Sequence, residues 1–276
     1  MKGKKSNVFI YMILTILAVV FLAPIFIILF NSFKGKLYIS DAPFKLPTAE
    51  TFSGLQNYID GLSKTGFLSA FGWSIFITFF STIVIVLFTA MTGWYITRSK
   101  TKVSTSLYFI FVFSMIVPFQ MVMFTMSKVA NMLNLDNPVG LIVLYLGFGA
   151  GLSIFMFSGF VKSIPIDIEE AALIDGCNPI KTFFLIVLPL LKPICITVAI
   201  LNVMWIWNDY LLPSLVLKSD YKTIPMAVQY LRGGYGAIDM GAMMAVLVLA
   251  IIPIIIFYLT CQKYIIEGVA AGAVKG

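Results

Sequence analysis

The chain has 276 residues, 60% of them hydrophobic and only 11% charged, whereas a soluble domain is about half apolar and a quarter charged. The formal net charge is +7, but the basic residues stand in short clusters beside apolar runs, with no extended basic face interleaved with aromatics, which argues against nucleic acid as a partner. Histidine is absent and the three cysteines, Cys177, Cys195 and Cys261, lie far apart, so the residues for a Ser–His or Cys–His catalytic pair, a transition-metal site or a disulfide scaffold are missing.

Crossing a bilayer takes roughly 20 apolar residues, and runs of that length recur along the chain. Residues 8–30 carry no Asp, Glu, Lys or Arg; the run is longer than a signal-peptide core and no small-residue cleavage site follows it, so a retained first helix is expected. Pro24 removes a backbone donor there and predicts a bend. Residues 31–65 are polar, with Pro, Gly and mixed charges, and read as a long connection. Further spans are predicted within 67–97, 104–127, 138–161, 193–212 and 241–260, the fifth limited by Asp209. Peptide groups in lipid must find their partners internally, so each span is helical, and the alternating pattern of a membrane barrel does not occur. The expected fold is an all-α membrane protein of six transmembrane helices, a single domain over 1–276: an N-terminal helix 8–30, a core 66–266 and a tail 267–276.

Orientation follows from the basic residues of the short segments. With the N-terminus inside, Lys2, Lys4 and Lys5, the Arg98–Lys102 loop, and the tail with Lys263 and Lys275 are cytoplasmic, while 128–137 lies outside. Both termini are then cytoplasmic, and so is the segment 162–192. That segment reads as two short helices. Pro165 suits the first turn of one, Asp167, Glu169 and Glu170 complement its positive end, and Gly176 stops it. Asn178 and Pro179 then cap a second helix with an apolar stripe at Ile180, Phe183, Phe184, Val187, Leu188 and Leu191. The first helix presents acids and the small pair Ala171–Ala172 on a cytoplasmic face, a pattern that suits either a solvated connector or close approach by another protein.

The order Glu170-Ala171-Ala172, three residues, Gly176, nine residues, Ile186-Val187-Leu188-Pro189 resembles the EAA loop of ABC importer permeases at every fixed position, a match expected by chance with a probability on the order of 10⁻⁵. Residues 207–213, Trp-Asn-Asp-Tyr-Leu-Leu-Pro, resemble the end of the fifth helix in the sugar-importing branch, and residues 262–276 are similar to the tail of maltose-type oligosaccharide permeases. The resemblance is densest from Pro165 onward; the N-terminal third shares only topology.

The resemblance implies a multi-pass subunit of a bacterial inner membrane, paired with a second sugar permease, two ATPase subunits and an extracytoplasmic sugar-binding protein. ATP and magnesium would be used by the ATPases; this chain has no phosphate-binding G-x-x-x-x-G-K-[ST] loop, and Gly147, Gly149 and Gly151, mid-span, read as helix-packing positions. It further implies ATPase coupling through Glu170, Ala171, Ala172, Asp175, Gly176 and Pro189, with Gly272 and Lys275 of the tail, although Glu170 alone also suits a helix terminus and the tail alone reads as a flexible end. Arg232 and Tyr235, on a Gly-rich outer segment, would touch the binding protein or form a passive loop. Polar residues in the spans, Gln120, Asn202, Asn208 and Asp209, are candidates for the translocation pathway; Trp205 and Trp207 suit either stacking on a sugar or anchoring at the interface. A permease for another small solute shares the EAA loop, and a secondary transporter shares the hydropathy but leaves that loop unexplained.

Overall fold

A computed structural model describes residues 2–231 and 239–273. In chain order its helices are α1 (Lys2–Asn31), α2 (Lys36–Asp41), α3 (Gln56–Thr65), α4 (Phe67–Ser99), α5 (Lys102–Ser114), α6 (Phe119–Met132), α7 (Pro138–Val161), α8 (Asp167–Ile174), α9 (Pro179–Lys181), α10 (Leu188–Leu190), α11 (Lys192–Asn208), α12 (Leu211–Val216), α13 (Ile224–Tyr230) and α14 (Met240–Ala273). A π-helical turn, Thr182–Val187, joins α9 to α10. Among the described residues no strand forms; one antiparallel bridge pairs Lys34 with Phe52.

Among the described residues, Val8–Asn31, Phe67–Ser99, Pro138–Val161 and Met240–Tyr264 are long and apolar enough to cross a membrane unbroken. The first runs on through Pro24, and the fourth predicted span, 138–161, coincides with α7, whose Asn137 side chain caps the N–H groups of Val139 and Gly140. The third predicted span, 104–127, is not one helix: α5 and α6 meet at 105°. Pro118 is the physical reason, because its ring has no N–H and pushes Val117 away from helical backbone. The fifth, 193–212, is also revised. Its helix α11 ends at Asn208, where extended Asp209 turns its carboxylate onto the N–H groups of Leu211 and Leu212 and starts α12. Upstream, α11 bends by 78° from the Pro179–Leu190 helix. The sixth continues past 260 to Ala273, so residues 267–273 of the predicted tail are helical. Six crossings result if each bent pair counts as one.

Backbone contacts divide the chain into two compact units, Met1–Ala70 with Met226–Ile255, and Phe71–Pro225 with Ile256–Gly276. In the first, the predicted connection 31–65 is built rather than loose. The Asn57 amide donates to Ser32 O and Lys34 O, both at 2.8 Å, and buried Lys34 donates to Ala42 O at 2.9 Å over the Phe30 ring. Lys64 bridges Asp60 and Asp239, whose carboxylate also caps Ala242 at the start of α14.

In the second unit, Ala90 of α4, Phe157 and Val161 of α7, Phe183 and Val187 of the π turn and Val198 of α11 are all buried together. Two of the three predicted packing glycines serve that role. A Cβ on Gly149 would meet Ile85 at 2.9 Å, and one on Gly151 would meet Phe111 O at 2.7 Å, whereas Gly147 faces open space.

Candidate coupling helix and translocation residues

Helix α8 starts at Asp167, after Pro165, which stands just outside it and not in its first turn. It is two turns long and ends as the spacing predicts. Gly176 takes the left-handed conformation, φ +80°, Cys177 N–H reaches back to Ala172 O and Gly176 N–H to Leu173 O, the paired bonds that close a helix C-terminus. Asn178 then caps the next helix by accepting the Lys181 N–H at 2.9 Å, with Pro179 at its first position. The π turn that follows carries no signal in the sequence; it brings Phe183 and Val187 into the core and packs against α8.

The helix has two distinct faces. Glu170, Ala171, Leu173, Ile174 and Asp175 are exposed, Ile174 at 86%. Glu169 and Ala172, three residues apart and so on one side, are buried. Of the predicted small pair, Ala171 therefore lies on the open face, whereas Ala172 lets α8 close on its own unit. Exposed Pro189 lines an apolar groove of about 560 Å³ with Val86, Phe184 and Lys192. Gly272 falls within the last turn of α14. Lys275, Arg232 and Tyr235 lie outside the described residues.

Neighbouring glutamates thus face opposite ways. Glu169 accepts hydrogen bonds on Oε1 from Arg98 Nε at 2.9 Å and Arg98 Nη2 at 2.7 Å, and on Oε2 from Trp94 Nε1 at 2.8 Å. Arg98 Nη2 also donates to Ile164 O at 2.9 Å. The two side chains are only 8% and 18% exposed. In the sequence Arg98 reads as a cytoplasmic flanking charge and Glu169 as a dipole partner; the three- and four-residue spacings 94–98 and 169–172 show shared helix faces but cannot say which way they turn.

The pathway candidates separate into groups. Asn202 is buried, donates to Val198 O at 2.8 Å and sits 3.4 Å from Ser153 Oγ. With Trp205, Phe148, Gly149 and Met115 it lines a cavity of about 300 Å³ beside the α5–α6 break. The Trp205 ring meets Tyr145 edge-on at 5.4 Å, and Tyr145 donates to Asp209 at 3.0 Å. Asp209, half-buried at the end of α11, thus accepts from Tyr145, Leu211 and Leu212. Asn208 is exposed and bonds its own helix at Met204 O, while Gln120 is exposed on the first turn of α6 and does not line the cavity. Trp207 is buried edge-on against Phe71. Tyr145 and Ser153, which complete this group, carry no sequence signal beyond lying in an apolar span.

Residues 85–270 match the family described as binding-protein-dependent transport system inner membrane component. The chain is 40% identical over 261 residues to the probable starch degradation products transport system permease protein AmyC of Thermoanaerobacterium thermosulfurigenes, covering 94% of each. It is 36% identical over 280 residues to the multiple sugar-binding transport system permease protein MsmG of Streptococcus mutans, covering 99% of each. It is also 31% identical to the melibiose/raffinose/stachyose import permease protein MelC of Bacillus subtilis, over 99% of this chain and 98% of that one. A chain of a bacterial ABC transporter involved in the import of the acidic polysaccharide alginate shares the fold, with a TM-score of 0.81 at 23% identity over 96% of this chain and 98% of that one.

Proposed function

Because the chain belongs to the family of binding-protein-dependent transport system inner membrane components, we propose that it is the permease subunit of an ATP-driven importer that moves a sugar or oligosaccharide across a bacterial inner membrane. The relatives named for starch degradation products, multiple sugars and melibiose/raffinose/stachyose support the substrate class. The chain works with a second permease, two ATPase subunits and an extracytoplasmic sugar-binding protein. ATP and magnesium are used by the ATPases, and this subunit is not itself catalytic. Each bent pair forms one crossing, for six in all, with both termini and α8 on the cytoplasmic side.

The observation that carries the coupling reading is the capped helix α8, which offers Glu170, Ala171 and Asp175 on an open face while its other side is tied down. That face docks on an ATPase subunit, and closure of the ATPase pair on ATP drives the crossings between inward- and outward-facing states. The cavity at Asn202 and Trp205 supports a place for those two residues along the sugar's path: an amide and an aromatic face suit a hydroxyl-bearing ring. Asn208 and Asp209 end the same helix, and Gln120 stands beside the neighbouring break.

The test is co-purification of the chain with the permease and ATPase encoded beside it, comparing the native protein with Glu170→Lys and Gly176→Pro. Sharp loss of the ATPase from both variants, with the permease pair intact, is the expected result. Failure of the native chain to retain an ATPase, or equal retention by both variants, refutes the coupling reading.

A further inference from the structure

Helix α8 is eight residues long and is joined to its neighbours by turns at both ends. A helix this short has little stability of its own, so a displacement imposed on its outer face would be absorbed by those turns unless its inner face is fastened. The fastening is the Glu169 cluster. Both carboxylate oxygens are engaged, Oε1 by two nitrogens of Arg98 and Oε2 by Trp94, and Arg98 and Trp94 lie one turn apart in the last turns of α4. Arg98 also holds the chain leaving α7 through Ile164 O, and the Trp94 ring lies 5.6 Å from that of Phe183 in the π turn. The second unit's core packs beneath, with Trp94 against it. Charge-assisted hydrogen bonds to a buried carboxylate are short and directional, so the cluster resists rotation as well as separation. Helix α4, which ends one residue past Arg98, is unbroken over its 33 residues, a rod of about 50 Å.

We propose that Glu169, Arg98 and Trp94 form a joint that makes α8 and α4 move as one body, with Glu169 a positioning residue for transmission and Glu170 left to the docking face. This rests on the reading of α8 as the helix that docks on the ATPase. The joint explains why two adjacent glutamates are turned opposite ways, and it gives α8 a direct mechanical connection to a membrane-crossing helix that does not pass along α5, α6 and α7, which lie between them in the chain.

The test uses the full complex of this chain, its permease partner and the ATPases. Cys177, Cys195 and Cys261 are replaced by Ser, and nitroxide labels are placed at Asp167→Cys on α8 and Phe79→Cys on α4, both exposed positions. Phe79 lies about 28 Å along α4 from Arg98, a span suited to pulsed electron paramagnetic resonance. In the parent complex the distance distribution is expected to be the same without nucleotide and after trapping with ATP and vanadate. In Glu169→Gln it is expected to shift on trapping, with the ATPase still bound, because α8 then moves without α4. A parent that already shifts on trapping, or a Glu169→Gln complex that does not, overturns the joint. If Glu169→Gln sheds the ATPase, Trp94→Phe, which removes one donor and keeps the ring, decides: a shift on trapping supports the joint, and a parent-like distribution overturns it. A parent chain that retains no ATPase fails the docking reading first, and the joint falls with it.

Discussion

Removing the guanidinium of Arg98 breaks the buried charge pair with Glu169 from one side. Arg98→Met keeps the aliphatic stem but deletes both bonds to Glu169 Oε1 and the bond to Ile164 O, leaving a carboxylate 8% exposed with Trp94 as its remaining partner. Breaking a buried pair from one side costs about 3–5 kcal/mol. Arg98 keeps 18% exposure, so water can partly replace it and the lower end, about 3 kcal/mol, applies. Glu169→Gln keeps an acceptor for Trp94 but leaves the arginine uncompensated, at about 2 kcal/mol. In the double variant no charge is stranded, so its cost falls below the sum by at least about 1 kcal/mol. The assay is a double-mutant cycle on thermal unfolding midpoints of the purified complex; for a chain of this size Arg98→Met is expected to lower the midpoint by roughly 6–12 °C. Additivity of the two single variants to within about 0.5 kcal/mol would refute the reasoning.

Three further outcomes can be checked in the same preparation. Gly176→Ala meets nothing within 4 Å but must hold φ +80°, so its cost is backbone strain of about 1–2 kcal/mol, read as a lower unfolding midpoint with the ATPase still partly retained. Gly151→Ala drives a methyl to within 2.7 Å of Phe111 O and Ser114 Oγ and should destabilise by about 1–3 kcal/mol, while Gly147→Ala, which faces open space, should be neutral or slightly stabilising by the same measurement. At Asp239, burial pushes the carboxyl up, but the Lys64 ammonium and the Ala242 N–H outweigh it and hold it below its ordinary value; its stabilisation is present above the unfolded value of about 3.9 and is lost as pH falls through the lowered folded value. Lys64, raised by its bonds to Asp239 and Asp60, contributes below about pH 10.4 and loses that contribution as pH rises through its folded value. Asp239→Asn should therefore cost no more than about 1 kcal/mol near neutrality, because Lys64 is half exposed, and should flatten the acid limb of the midpoint-against-pH curve; an unchanged limb refutes the assignment.

Much of the fold was legible because its signals are local. An uncharged run of bilayer length must be a helix whatever surrounds it, and α7 begins at the Asn137–Pro138 pair that caps it. Caps are equally local, so the Gly176 stop and the Asn178 start could be read directly. The breaks were harder. Pro24, Pro118 and Pro253 all interrupt apolar runs, yet α1 and α14 continue through theirs and only the run at Pro118 is broken. A proline removes one hydrogen bond wherever it falls, and whether the helix survives depends on what surrounding groups supply in its place.

The candidate residues divide in the same way. That Glu170-Ala171-Ala172 and Gly176 form a capped helical motif follows from composition and spacing, and so does the membrane-crossing character of the chain. That Glu169 turns inward to Arg98 and Trp94 while Glu170 turns outward does not, because periodicity shows which residues share a face but not what that face meets. The same holds for Asn202 and Trp205 of α11 and Tyr145 of α7, more than fifty residues before them, which share a neighbourhood only once α7 and α11 are packed. The sequence by itself determined the unbroken apolar spans, the stop at Gly176, the start at Asn178 and the family motif, all set within a few turns of backbone. Only the tertiary structure decided which charges are paired, which alanine is buried and where the polar groups of separate spans meet, because those depend on contacts between segments distant along the chain.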